Sequence, residues 1–185
     1  MFRICVMCVF CVFLQGCLNV NLKSVLPKEE YFSLDSIVLN PCKKMESTYN
    51  LSVNVLSPYD GKDILVNNAG QIKVLDTYKW VDLPKNMVRN AMIKVGANHC
   101  VSIESSGIVG QKTSTIRLNI NDLYLTQNGS EYNAHIYATY EIINYDLSRA
   151  KSNILVLNAN DTNPIKALQS AISKGLENVV LGIGR

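Results

Sequence analysis

Six cysteines and two histidines are the side chains here best suited to hold a metal or to carry covalent chemistry. Cys5-x2-Cys8-x2-Cys11 repeats at the spacing of metal ligands, but all three lie inside an apolar run that reads as a removable leader. His99 and His135 are far apart in the chain, with no Cys, Asp or Glu beside them at ligand spacing, so no metal is expected. A serine nucleophile needs a sharp strand-to-helix turn, and no G-x-S-x-G exists; Ser106-Gly107 lacks the upstream glycine and the following helix. Gly107-Ile108-Val109-Gly110 is followed by neither G-K-[ST] nor G-x-G-x-x-G, so it is not a phosphate loop. The carboxylates are dispersed and form no glycosidase-type pair. The expectation is a chain without a cofactor and without catalysis of its own. The one sulfur in a setting that points to chemistry is Cys17.

Cys17 closes the stretch Leu14-Gln15-Gly16-Cys17, which is similar to a bacterial lipobox: an aliphatic residue, two further positions, then a cysteine that is acylated and becomes the new N-terminus. Upstream, Arg3 supplies the positive n-region, and Ile4 to Leu14 form an h-region of secretory-signal length. That run is shorter than the ~20 residues a membrane span requires. Each buried acyl methylene contributes about 0.8 kcal/mol, and stable attachment takes two or more chains. A lipoprotein cysteine usually carries a diacylglycerol and an N-acyl chain such as palmitate, so the anchor would be permanent. Leu18, rather than an aspartate, follows the cysteine. By the common sorting pattern that favours the outer membrane, with the domain in the periplasm.

The expected organisation is therefore a signal peptide over residues 1–16, a lipidated N-terminus and tether over 17–29, and one domain over 30–185. A formal net charge of +3 without a basic stripe excludes nucleic acid as a natural partner. Once the leader and the lipid site are set aside, Cys42 and Cys100 remain. They could pair in an oxidising compartment or stay free, because sequence does not show whether their α-carbons come within bridging distance.

The elements that must position these residues follow from periodicity. Tyr31-Phe32-Ser33-Leu34 and Ser36-Ile37-Val38-Leu39 are short β-prone runs. Leu51-Ser52-Val53-Asn54-Val55 alternates as a strand buried on one face. Pro58-Tyr59-Asp60-Gly61 is a turn, and Asn67-Asn68-Ala69-Gly70 closes a hairpin whose second strand keeps Ile72, Val74, Tyr78 and Trp80 in phase. A helix opens with Asp82 as N-cap and Pro84 in its first turn. It carries Met87, Val88, Ala91, Met92 and Val95 on one stripe and ends at Gly96 as C′. Val101 to Ile103 is a strand, and residues 105–115 read as a mobile loop. Ile116, Leu118 and Ile120 are out of phase with Leu123 and Leu125, which predicts either a bulge near Asn121-Asp122 or burial on both faces. Asn128-Gly129 is a hairpin turn before a strand with Ala134, Ile136, Ala138, Tyr140 and Ile142 on one face. A strand at Ile154 to Leu157 precedes a last helix, opened by Asn163 as cap and Pro164 at N1. About seven strands and two helices imply an α/β chain of the α+β type: one mixed, largely antiparallel sheet with both helices packed on it.

The most distinctive part of the domain is Tyr78-x-Trp80-x-Asp82-x-Pro84. Its aromatics either seat the helix structurally or form an edge that docks a partner. Together with Tyr31-Phe32-Ser33-Leu34, and with Leu56-Ser57-Pro58-Tyr59-Asp60-Gly61 before Ile64-Leu65-Val66, it resembles the signatures of the ABC-type transport auxiliary lipoprotein family (PqiC-like, MCE-associated). The resemblance runs from Cys17 to the last helix. Val81 and Asp60 depart from the usual Ala and Leu. It implies a non-enzymatic component of an envelope lipid-transport system. The implied partners are the membrane through its anchor, an MCE-domain protein forming a hydrophobic conduit, and the ABC transporter behind it. Docking of this kind is often symmetric and multivalent, so a homo-oligomer is an expectation too. Tyr59, Tyr78, Trp80 and Pro84 are the signature residues. An envelope lipoprotein binding peptidoglycan or another assembly, and a periplasmic hydrolase, are the rival readings.

Overall fold

The computed structural model describes residues 28–105 and 112–183. The leader, the lipid site Cys17, most of the tether, Ser106 and the 107–110 glycine stretch lie outside the described residues. The elements run β1 (Glu30–Phe32), β2 (Ser47–Val55), β3 (Asp63–Asn68), β4 (Gln71–Trp80), α1 (Pro84–Asn98), β5 (Val101–Glu104), β6 (Ser114–Asn128), β7 (Glu131–Ile143), β8 (Arg149–Asp161) and α2 (Pro164–Ile183). They form one mixed eight-stranded sheet with both helices packed against it. The two longest ladders, β6 with β7 and β7 with β8, are antiparallel; β1 with β4, and β2 with β5 and β6, are parallel.

β6 is the axis of the sheet. Along one side it pairs with β7 over most of its length. Along the other it pairs first with β2, from Tyr49 opposite Ser114 to Val55 opposite Ile120, and then with β3 at Val66 opposite Leu125. The phase change within β6 is resolved as a bulge: the register against β7 slips between Ile120 and Asp122, leaving Asn121 without a partner. One inserted residue returns Leu123 and Leu125 to the face already occupied by Ile116, Leu118 and Ile120, and all five are buried. The same face carries Ala134, Ile136, Ala138, Tyr140 and Ile142 of β7, also buried under the helices.

Two local expectations are corrected. Residues 36–39 form no strand, and Val38 is 82% exposed. The segment after Leu34 is instead a strap along α1, held mainly by helix side chains. Lys94 pairs with Asp35 (2.8 Å), and the Asn98 amide donates to the Val38 carbonyl (2.9 Å) and accepts from the Asn40 N–H (2.6 Å). Gln169 of α2 donates to the Ser33 carbonyl (2.8 Å), fixing the start of the strap. In β4, Ile72 and Val74 continue the alternation but are exposed, because the β3–β4 hairpin extends beyond the helices that would cover it.

The ends of α1 are the second correction. Its N-cap is Leu83, not Asp82, and it runs through Gly96 to Asn98. Gly96 serves close packing inside the helix: a Cβ there would sit 2.7 Å from the Val101 carbonyl oxygen and from Ile103 Cδ1. The left-handed residue that ends the helix is Cys100 (φ 64°). α2 begins as its sequence indicates, with Asn163 Oδ1 accepting the N–H groups of Ile165 (2.9 Å) and Lys166 (3.2 Å).

Candidate functional site

Of the signature residues, Tyr78, Trp80 and Pro84 meet at one joint rather than in a cleft. β1 lies parallel to the end of β4, with Tyr31 opposite Lys79 and Phe32 opposite Trp80. The Phe32 and Tyr78 rings meet edge to face at 5.1 Å. The Trp80 N–H donates to the Lys62 carbonyl (2.8 Å) and the Val81 N–H to the Phe32 carbonyl (2.9 Å), so strand β1 and the residue preceding β3 are both tied to the approach to α1. Trp80 is 2% exposed and belongs to the core with Leu34, Met87 and Val88. Its ring is out of reach of a partner. Pro84 is buried at N1, where its missing N–H leaves nothing unpaired.

The cap of α1 comes from a distant turn. Asp60 Oδ1 accepts the Lys85 N–H, the second amide of the helix (3.1 Å), while Oδ2 pairs with Lys85 Nζ (2.9 Å). Asp82 instead accepts from the Leu83 N–H (2.7 Å) and the Asn86 amide (3.2 Å), and these bonds hold its carboxyl below the usual carboxylate range. Position 60 thus links the Tyr59 turn to the Trp80–Pro84 segment. Asp60→Ala is expected to destabilise the domain by about 1–2 kcal/mol in chemical denaturation. Asp60→Asn, which keeps an acceptor for the Lys85 amide, recovers most of the loss, and Asp82→Ala costs less than Asp60→Ala.

Tyr59 points away from that joint, onto the sheet face opposite the helices. Its ring lies 6.4 Å from that of Tyr124, which stacks on His135 at 5.3 Å, and His135 Nε2 is 2.9 Å from Thr126 Oγ1. Burial, followed by the neighbouring Asp122, pushes the Tyr59 hydroxyl pKa up. This polar aromatic row is absent from the sequence reading, although its signal was available. The Asn128-Gly129 turn fixes Asn128 opposite Glu131, and counting back from there puts Tyr124 opposite His135. The second histidine, His99, caps α1 on the helix side and lines a groove with Glu46, Tyr49, Val101, Val180 and Ile183. The two histidines therefore serve separate surfaces. Among the described residues, no group of three or more His, Cys, Asp or Glu side chains is placed to hold a metal ion.

Cys42 and Cys100 form a disulfide with their α-carbons 5.1 Å apart. It fastens the far end of the strap to the end of α1, beside the Cys42 N–H bond to the Ala97 carbonyl (3.0 Å) and the Glu46 N–H bond to the Cys100 carbonyl (2.8 Å).

No family model matches the chain, and no curated protein matches it. Solved structures do share its fold. A crystal structure described as an uncharacterized protein superposes with a TM-score of 0.69 at 12% identity, covering 84% of this chain and 99% of that one. Protein XCC0632 from Xanthomonas campestris, described with the family DUF330, superposes with a TM-score of 0.65 at 12% identity, covering 82% of this chain and 92% of that one. At such identity the likeness is one of fold. It extends over more than four fifths of this chain.

Proposed function

We propose that the chain is a lipid-anchored lipoprotein of the bacterial envelope that docks the periplasmic conduit of an ABC/MCE-type lipid transport system to the outer membrane. In this reading it performs no chemistry of its own; its partners are an MCE-domain protein and the transporter behind it. The observation that carries the proposal is the combination of a lipobox-like Cys17 with a joint that unites the family-like signatures. Asp60 from the Tyr59 turn caps the helix opened by the Trp80–Pro84 segment, so motifs far apart in sequence form one structural unit. The fold of the domain is shared with the XCC0632 structure, described with the family DUF330.

The test has two arms. Radiolabelled palmitate is expected on the native chain and absent from Cys17→Ala, which also leaves the outer-membrane fraction. Crosslinking in cells followed by purification is expected to recover an MCE-domain protein with the native chain. Recovery of peptidoglycan or of another envelope assembly in place of an MCE protein would replace the transport reading while leaving the anchor intact.

A further inference from the structure

The sheet edges are managed unequally. One end of the strand order is β1, three residues long, and the other is β5, four residues long; edges this short offer little to pair with. β4 runs past its pairing with β1 but carries Lys73 and Asp76 there. β8 is different. It is 13 residues long, pairs among the described residues with β7 alone, and from Ser152 to Asn160 contains no charge, proline or glycine. At its centre Ile154 and Val156 are 58% and 69% exposed, on the face away from the helices, while Leu155 between them is buried. The Ile154 N–H donates to the side-chain oxygen of Asn153 (2.8 Å) and so faces away from β7. By the two-residue period, the backbone groups of Ser152, Val156 and Asn158 face outward as well.

We propose that β8 is a self-association edge, pairing antiparallel with β8 of a second copy about a two-fold axis at Leu155. Two features of the strand select a second copy as occupant. The register about Leu155 sets outward-facing residues opposite outward-facing residues, so Ile154 and Val156 each exchange main-chain hydrogen bonds with the other copy. It places Ile154 of one copy against Val156 of the other twice over, covering both exposed side chains on one face. Moving the axis one residue either way sets one of them against Ser152 or Asn158 instead. A closed two-fold pairing of this kind consumes the edge and leaves no template for further addition. The inference stands on the edge alone and does not depend on the transport reading.

The test uses the full chain. Ile154→Cys and Val156→Cys are made on differently tagged copies, produced together and oxidised after purification. Opposed positions lie within disulfide reach, whereas each position is displaced by two residues from its own counterpart. The mixed disulfide dimer is therefore expected to exceed either self-dimer by about tenfold, the factor that 1.4 kcal/mol represents. Tyr137→Cys, one strand inward on the same face, is expected to give no dimer. Val156→Lys, tested by sedimentation without any added cysteine, is expected to raise the concentration needed for dimerisation by at least about tenfold. Equal or stronger crosslinking at Tyr137 would mean stacking of sheet faces and would overturn the proposal. So would crosslinks of these cysteines to a different protein, or a monomer up to 100 micromolar, roughly the weak end of specific association.

Discussion

Truncating Trp80 to alanine is expected to destabilise the domain by about 3–5 kcal/mol. The indole is 2% exposed and stands where β4, β1 and the first turn of α1 meet. Its removal leaves a void in the core it shares with Leu34 and Met87, where the Leu34 N–H, at the start of the strap, approaches Met87 Sδ (3.3 Å). The surrounding main chain cannot collapse into that void without breaking the Trp80 and Val81 bonds to Lys62 and Phe32. The measurement is a urea midpoint followed by far-ultraviolet circular dichroism, because the chain has one tryptophan and the variant loses that fluorescence. Trp80→Phe, which keeps a ring in the site, should lose less. It should also leave partner capture unchanged, since the native ring is not presented to a partner. A variant as stable as the native protein would mean that the joint does not depend on Trp80.

Removing the disulfide is the second large effect. Its ends are 58 residues apart, and the loop contains β2, β3, β4 and α1, so opening it returns substantial entropy to the unfolded chain. Cys42→Ala with Cys100→Ala is expected to cost about 2–4 kcal/mol. The residue chosen at position 100 matters independently. Cys100 has φ 64° at the end of α1, a conformation that glycine adopts freely and alanine does not. Cys42→Ala with Cys100→Gly should therefore retain about 1 kcal/mol more stability than the double alanine variant. Indistinguishable midpoints for the two doubles would show that the backbone at position 100 relaxes once the crosslink is gone.

Much of the architecture was legible because burial on one face imposes a period. The alternation at Leu51, Val53 and Val55, the stripe of α1, the long β7 face and the cap of α2 all appear where the pattern puts them. The break of phase in β6 was visible as a break, and its resolution as a bulge at Asn121 needed β7 as the ruler against which a slip is measured. Run 36–39 misled for a physical reason, the same one that leaves the strand at 72–74 exposed. β-prone residues reveal what a segment tolerates, while burial depends on whether another element lies over them, and among the described residues none covers Val38, Ile72 or Val74.

The candidate site divides along the same line. From sequence alone came a leader ending at a lipobox-like Cys17, a tether, a sheet-and-helix domain, and a row of signatures, because each is written in contiguous residues with local chemistry. Only the folded chain decides that Asp60 rather than Asp82 serves the first helix, that Cys100 rather than Gly96 turns its end, that Trp80 is sealed inside, and that one long edge of the sheet is unpaired among the described residues. Those outcomes depend on distances between residues remote in sequence, which are fixed when the helices settle on one face of the sheet and leave the other to solvent.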